Sequence, residues 1–231
     1  MNLIAHRGLH SKNTKENTLE AIELGSRHQD IDGVEIDVRL TKDNKVIVIH
    51  DEYIDVVSNG RGRTNEMSLE RLKRFNYGTV VKPSTVNSLS EVLDKISPST
   101  LLIIELKDER EKNDVLASKV IEIVNNYPLL NIWLKSFSLD IVNYLKRYSN
   151  RPVGILIDTF NKDLLNLDFD FYSISQYIIT NDIVNNKLKD KKAIMVWTIN
   201  TKKQFKELKD KLKANINRVY LISDDPLIYC R

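Results

Sequence analysis

Apolar runs that lead directly into ionisable residues are the feature that most constrains how this chain folds. Three such runs are Leu3-Ile4-Ala5, Val46 to Ile49 and Leu101 to Ile104. The polar motifs of this pattern are His6-Arg7-Gly8, Glu35-Ile36-Asp37, His50-Asp51 and Glu105-Leu106-Lys107. Carboxylates and imidazoles cost free energy at the end of a buried strand. Because the pattern recurs along the chain, we predict one site built from several strand ends.

Strand-like and helix-like segments alternate along the sequence, which is typical of a parallel sheet with helical crossovers. The strand candidates are 3–5, 33–38, 45–49, 101–106, 131–134, 153–157, 172–174, 193–198 and 219–222. The helix candidates are 17–28, 68–75, 90–96, 113–127, 139–148, 182–188 and 202–212. The chain has 231 residues, 42% of them hydrophobic, which is enough for one large core. We predict an α/β protein that forms a single domain over residues 1–231. The nine strand candidates are one more than the eight of a closed (β/α)8 barrel.

The link between the second and third strand candidates is too short for the crossover that a parallel pair needs. Two geometries stay open: a hairpin that turns at Asp43-Asn44, or an extended link that leaves both strands parallel. Either one brings His50 close to Asp37. Residues 52–88 contain the turn-rich run Asn59 to Arg63 and are predicted to form a small insertion after the third strand.

Composition bears on several classes of protein. The net charge is +3, from 35 basic and 32 acidic residues, an excess too small to argue for or against a nucleic-acid partner. No stretch alternates aromatic with basic residues as a stacking platform would, and we expect no nucleic-acid partner. The seven glycines do not form a dinucleotide-binding fingerprint. Ten lysines between Lys187 and Lys213 are predicted to cover a solvated helix face, with docking on an anionic membrane or a phosphate-rich ligand as the alternative.

The N-terminal residues, the apolar runs and the cysteine content indicate the cellular location. The N-terminal residues do not resemble a signal peptide, and no apolar run is long enough to span a membrane. The one cysteine, Cys230, allows no intramolecular disulfide and is predicted to be inert. We expect a cytoplasmic protein without stable membrane insertion, with a homodimer as an open possibility.

Two carboxylates on the second strand candidate indicate a cation site. Glu35 and Asp37 are two residues apart, so both point to the same face of a strand. Two ionised carboxylates this close repel each other unless a cation lies between them. Glu105, on a later strand, supplies a third oxygen donor. Three carboxylates without a nearby cysteine suit a hard cation, and we predict one Mg²⁺ or Ca²⁺.

Two of the four histidines also follow apolar runs. His6 and His50 are each followed by a charged residue, and together they suit an acid–base pair. His10 and His28 have no such setting and are predicted to lie on the surface. Arg7 and Lys107 add positive charge at the same end, where they would contact a phosphate. This combination indicates a phosphate ester as substrate, because a glycosidase needs two carboxylates and little positive charge.

Taken together, these motifs resemble those of the glycerophosphodiester phosphodiesterase family. The matching residues include Glu16-Asn17-Thr18, Thr41-Lys42-Asp43, Leu89 to Leu93, Ser136-Phe137, Trp197 to Asn200 and Ser223-Asp224, in addition to the four polar motifs. Each motif alone is weak, but their order and spacing from residue 3 to residue 227 are specific. Lys15, Asp55 to Ser58 and Val219-Tyr220 depart from the family pattern, away from the predicted cation site.

The resemblance implies a TIM-type (β/α)8 barrel. It also implies hydrolysis of a glycerophosphodiester, a small-molecule substrate, to sn-glycerol 3-phosphate and an alcohol. It implies cation binding by Glu35, Asp37 and Glu105, and acid–base roles for His6 and His50. The resemblance further assigns substrate contacts to Arg7, Lys107, Asn17 and Trp197. Two alternatives stay open: the same machinery acting on lysophospholipids, as in a lysophospholipase D, and a catalytically silent barrel that binds phosphorylated ligands.

Overall fold

Eight parallel strands close into a barrel in the computed structural model, which describes residues 2–229. The strands are β1 (Asn2–Ala5), β2 (Gly33–Leu40), β3 (Val46–Val48), β4 (Leu101–Leu106), β5 (Asn131–Ser136), β6 (Val153–Ile157), β7 (Phe171–Ser175), β8 (Ala193–Trp197) and β9 (Tyr220–Ser223). Their order is β1-β9-β8-β7-β6-β5-β4-β2, and β1 pairs with β2 to close the ring. The predicted α/β fold and TIM-type barrel are confirmed.

Helices cover the outside of the barrel. They are α1 (Leu19–Arg27), α2 (Leu69–Leu72), α3 (Leu89–Leu93), α4 (Asn113–Val124), α5 (Leu139–Tyr148), α6 (Lys162–Asn166), α7 (Asn181–Lys189) and α8 (Lys202–Leu212). Thr18, Thr180 and Thr201 cap three of them, since each side chain accepts a hydrogen bond from a backbone N–H of the first turn. Helix α6 was not predicted, because its five residues are too short to show helical periodicity.

Strand alternation divides the barrel interior into an apolar layer and a polar layer. The apolar layer comprises Ile4, Leu101, Ile103, Phe171, Met195 and Ile222, which form one buried cluster. Two residues further along β4 comes Glu105, on the same face as Ile103. Likewise His6 follows Ile4 by two residues. The ionisable residues therefore lie at the carboxyl ends of the strands, directly above an apolar floor.

The short link after β2 is a hairpin. Strand β3 runs antiparallel to β2, with Val38 opposite Val48 and Leu40 opposite Val46. Asn44 has a φ of 53°, a conformation that asparagine tolerates better than most residues. The parallel alternative is therefore wrong, and the hairpin carries the chain back to the level of Asp37. The backbone N–H of Ile49 donates to the Asp37 carbonyl at 3.0 Å, which places His50 beside the site.

Residues 52–88 pack on the hairpin rather than on the barrel itself. A second hydrophobic cluster joins Ile47 and Ile49 of the hairpin region to Ile54, Met67, Leu72, Tyr77 and Val86 of this segment. Helix α3 follows directly and begins with a capping box made by Ser88 and Glu91. The segment thus lies between β3 and β4 and stands beside the carboxyl-end face of the sheet.

Several other expectations concern the rest of the chain. Most of the lysines between Lys187 and Lys213 are exposed, as predicted for a solvated face. Within residues 2–229, no helix is both long enough and apolar enough to cross a bilayer. Cys230 lies outside the described residues. That residues 1–231 form one domain stays a prediction.

The turn after β1 requires glycine at position 8. Gly8 has a φ of 86°, and a Cβ there would lie 2.6 Å from the backbone carbon of Ala21 in α1. Gly62 has a φ of 116°, but its Cβ would meet only the Met67 Cε, the movable end of a flexible side chain. Both positions carry backbone strain for alanine, and only Gly8 adds a clash with rigid backbone.

We therefore expect Gly8→Ala to lower the free energy of unfolding by about 1–3 kcal/mol more than Gly62→Ala does. Urea unfolding of both variants and of the wild type measures the difference. Equal losses in the two variants would mean that α1 does not hold the turn closely.

Candidate active site

Three buried carboxylates meet at the carboxyl ends of β2 and β4. Asp37 pairs in register with Glu105 across the two strands, and Glu35 is on the same face of β2. Each of the three offers an oxygen, and these oxygens all lie within 4.8 Å of one another. Among residues 2–229, Glu35 Oε1 and Asp37 Oδ1 have no hydrogen bond of good geometry, although a lysine ammonium lies within 3.0 Å of each. Three hard oxygen donors that converge this closely fit a Mg²⁺ or Ca²⁺ ion.

Two lysines, Lys135 buried and Lys107 partly buried, compensate the negative charge of these carboxylates. Lys107 Nζ lies 2.8 Å from Asp37 Oδ1 and also contacts Glu105. Lys135 Nζ lies 3.0 Å from Glu35 Oε1 and 3.8 Å from Glu105 Oε2. Burial would raise the pKa of Asp37, but Lys107 and Arg7 outweigh it and hold that pKa well below its usual range. Burial lowers the pKa of Lys107, but the charges of Asp37 and Glu105 outweigh it, so the pKa is raised.

His6 lies between the carboxylate cluster and the end of β9. Its Nδ1 is 2.6 Å from Asp224 Oδ1, and its Nε2 is 3.9 Å from Glu35 Oε2. Burial lowers the pKa of His6, but the hydrogen bond with Asp224 and the charge of Glu35 outweigh it, so the pKa is raised. For Asp224, burial raises the pKa, and His10 and His6 together bring it below its usual range. His6 is therefore held by carboxylates on both sides.

His50 is fixed by contacts of its own. Its Nδ1 lies 2.9 Å from Asp51 Oδ1. Its backbone carbonyl accepts a hydrogen bond of 2.7 Å from Arg39 Nε, and Arg39 is paired with Glu109 at 3.2 Å. Because Arg39 belongs to β2 and His50 follows β3, this bridge ties the second histidine to the strand that carries Glu35 and Asp37.

The turn after β1 delivers Arg7 and Asn17 to the same carboxylate. Arg7 Nε lies 3.3 Å from Asp37 Oδ2, and its guanidinium is 2.7 Å from Glu16 Oε1. Asn17 donates from Nδ2 to Asp37 Oδ2 at 2.8 Å, and its Oδ1 accepts from the Asp37 backbone N–H at 3.2 Å. Asn17 therefore orients a cation-site carboxylate, a contact that its predicted substrate-binding role did not include.

A cavity of about 520 Å³ opens beside His50. Its polar wall comes from the β1–α1 turn and includes Arg7, His10, Glu16 and Asn17. The apolar part of its wall is made by Val48, Ile49, Val56, Val57, Tyr77 and Val86. Residues 52–88 thus supply one side of the space next to the predicted catalytic groups.

The structure places Trp197 and His10 in surroundings that differ from those predicted. Trp197 is at the end of β8 and packs edge-to-face on Phe137 at 5.7 Å, and the residues around the cavity do not include it. His10, predicted to be a surface residue, is mostly buried, and its Nε2 lies 3.6 Å from Asp224 Oδ1. Its position depends on the β1–α1 turn, which folds back over the strand ends in a way that strand periodicity does not predict.

The structure brings together eight of the nine predicted residues and adds others. These eight lie at one end of the barrel, in contact with one another or with the cavity: Glu35, Asp37, Glu105, His6, His50, Arg7, Lys107 and Asn17. Sequence analysis assigned no site role to Lys135 or to Asp224, although Ser223-Asp224 is one of the motifs that match the family. Lys135 directly follows the apolar run Ile132 to Leu134, so the signal used for the other residues would have found it.

Comparison with known proteins identifies the family. The model of the "Glycerophosphoryl diester phosphodiesterase family" matches residues 6–226. The chain belongs to this family. The resemblance and the phosphodiesterase class predicted from the sequence are thereby confirmed.

Individual relatives agree over nearly the whole chain. A glycerophosphodiester phosphodiesterase of Caldanaerobacter subterraneus is 28% identical over 97% of this chain and 94% of its own length. A phosphodiesterase of Oleispira antarctica, solved in complex with the product sn-glycerol-3-phosphate, superposes with a TM-score of 0.87 at 24% identity, over 98% of this chain and 94% of that chain. A glycerophosphodiester phosphodiesterase of Thermotoga maritima gives a TM-score of 0.78 at 23% identity, over 99% and 96%. The two structures share the fold of this protein.

Proposed function

We propose that this protein hydrolyses glycerophosphodiesters to sn-glycerol 3-phosphate and an alcohol, with the help of one divalent cation. The observation that carries the proposal is the carboxylate cluster with two histidines beside it, at the carboxyl ends of the strands. This end is where TIM-barrel enzymes carry their active sites. Family membership and the product named for the Oleispira antarctica structure support the same reaction.

Glu35, Asp37 and Glu105 would hold the cation, Mg²⁺ or Ca²⁺. When bound, it supplies Lewis-acid polarisation of a phosphoryl oxygen. The formal charges of these groups support this arrangement. Three carboxylates and a divalent cation sum to one negative charge, and three positive charges come from Arg7, Lys107 and Lys135. The positive excess suits an anionic phosphodiester. Arg7 and Lys107 are the cations that we assign to its phosphate.

His6 and His50 carry the proton transfers in this proposal. One imidazole accepts the proton of the glycerol hydroxyl that attacks phosphorus, and the other donates a proton to the oxygen of the leaving alcohol. Water then opens the resulting cyclic phosphate, with the two proton-transfer roles reversed, to give sn-glycerol 3-phosphate. Each Nδ1 is engaged by an aspartate, at 2.6 Å for His6 and 2.9 Å for His50, so each Nε2 is the nitrogen available for substrate. Asn17 orients Asp37 through its two hydrogen bonds, and the substrate contact of Trp197 stays a prediction, since its ring packs on Phe137 outside the lining of the cavity.

The partly apolar cavity beside His50 bears on substrate range. Its volume of about 520 Å³ is ample for an alcohol such as glycerol or choline. Its apolar wall, from Val56, Val57, Tyr77 and Val86, keeps lysophospholipids as a second class of substrate to be assayed. The silent-barrel alternative is disfavoured, because both histidines and all three carboxylates are present at the same end of the barrel.

The first prediction concerns the two histidines. We expect His6→Ala and His50→Ala each to lower kcat by about 10²- to 10⁴-fold, because each removes one proton-transfer group. Release of glycerol 3-phosphate from a panel of glycerophosphodiesters and lysophospholipids measures the effect. His28→Ala is the matched control, since His28 caps the C-terminal end of α1 and precedes the start of β2, whereas the site lies at the carboxyl ends of the strands. A rate near that of the wild type in either variant contradicts the role of that histidine.

The second prediction concerns the cation. At about a hundred times its Kd, Ca²⁺ or Mg²⁺ should raise the free energy of unfolding by about 2.7 kcal/mol. Glu35→Gln should reduce this gain, whereas Glu122→Gln, at an exposed side chain paired with Lys119, should keep it. Chelation with EDTA should abolish activity in the wild type. Stabilisation that is equal in all three proteins, or activity that persists in EDTA, would show that the cluster is not a metal site.

A further inference from the structure

A hydrogen-bond network stands behind His6, on the side away from the carboxylate cluster. Asp224 follows β9, and Asn200 follows the neighbouring strand β8. Asp224 Oδ1 lies 2.6 Å from His6 Nδ1, and Asp224 Oδ2 accepts from Asn200 Nδ2 at 2.5 Å. The Asp224 backbone N–H donates to Asn200 Oδ1 at 2.9 Å. His10 Nε2 is 3.6 Å from Asp224 Oδ1, so His6 is the closer imidazole by 1.0 Å.

The network has a fixed direction. Because the Asp224 backbone can only donate, the amide oxygen of Asn200 must face that N–H. The amide nitrogen of Asn200 must then face Asp224 Oδ2 and donate to it. The other carboxylate oxygen accepts from His6, which places a proton on His6 Nδ1. In the neutral ring Nε2 is therefore the bare nitrogen, and it is the one that lies 3.9 Å from Glu35.

We propose that Asp224 is a positioning residue which, oriented by Asn200, holds His6 in the tautomer that leaves Nε2 free for the substrate. The inference rests on the proposed function, in which His6 exchanges a proton with substrate. Asp224 acts only through His6. In a serine protease triad the aspartate plays the same part for its histidine, and its replacement by asparagine gives the wrong tautomer.

The variant Asp224→Asn reverses the tautomer without changing the size of the side chain. Asn200 still presents its amide nitrogen, so the oxygen of Asn at position 224 must turn towards it. The new NH₂ then faces His6 Nδ1, which has to become an acceptor, and the proton moves to Nε2. We expect kcat to fall by about 10²- to 10⁴-fold with little change in KM. Asp225→Asn removes the same charge from the exposed next residue and should keep the wild-type kcat.

A reciprocal exchange tests the direction of the network. In Asn200→Asp combined with Asp224→Asn, a carboxylate at position 200 still accepts from the backbone N–H of residue 224, and it also accepts from the new NH₂ group. The amide oxygen at position 224 is then free to face His6 Nδ1 and restore the original tautomer. We expect this double variant to regain at least about tenfold in kcat over Asp224→Asn, because the tautomer and not the charge is the larger effect.

A spectroscopic signature separates this inference from the proposed function. ¹⁵N NMR of the neutral imidazole, assigned with His6→Ala, should show Nδ1–H in the wild type, Nε2–H in Asp224→Asn, and Nδ1–H again in the double variant. Nε2–H in the wild type, or the same tautomer in all three proteins, overturns the inference whatever the activity. A double variant as slow as Asp224→Asn overturns it too. Absence of hydrolysis by the wild type on the whole substrate panel contradicts the proposed function and leaves the tautomer result standing.

Discussion

The arrangement of side chains at the carboxyl ends of the strands depends on how the negative charge of three buried carboxylates is compensated. Glu35, Asp37 and Glu105 converge within 4.8 Å, a separation at which like charges repel strongly. Arg7 and two lysines meet them from β1, β4 and β5, so three segments of the barrel supply the opposing charge. Removing any one of these cations would leave an uncompensated buried charge, which is far more costly than a lost surface pair. In the proposed function, a divalent cation and an anionic substrate bind among these opposing charges.

Barrel geometry explains why the charges can gather there. Parallel strands all end at one face, and the two-residue repeat of a strand places apolar residues such as Ile103 below polar ones such as Glu105. The hairpin after β2 then brings His50 to Asp37, and the β1–α1 turn closes over the top because Gly8 lets it approach α1. Residues 52–88 complete the space with an apolar wall.

Sequence predicted the parts of this account that depend on short-range pattern. The carboxyl-end residues followed from apolar runs, and the parallel sheet followed from the alternation of strands and helices, whereas the closed barrel followed from the family resemblance. Sequence left open the hairpin, because chain length there allowed two geometries. It assigned His10 to the surface, since a turn that folds back leaves no periodic trace. Lys135 was missed although an apolar run precedes it, and Asp224 received no role because it acquires its partner only through the pairing of β1 with β9.

The central claim is that Glu35, Asp37 and Glu105 form one cation site. Anomalous diffraction from crystals grown with Mn²⁺, in place of the native ion, tests it most directly. The account predicts a single strong peak at the carboxyl ends of β2 and β4, about 2.0–2.6 Å from an oxygen of each of the three residues. A peak elsewhere, or no peak at this position in crystals that hold Mn²⁺ at another site, would contradict the account.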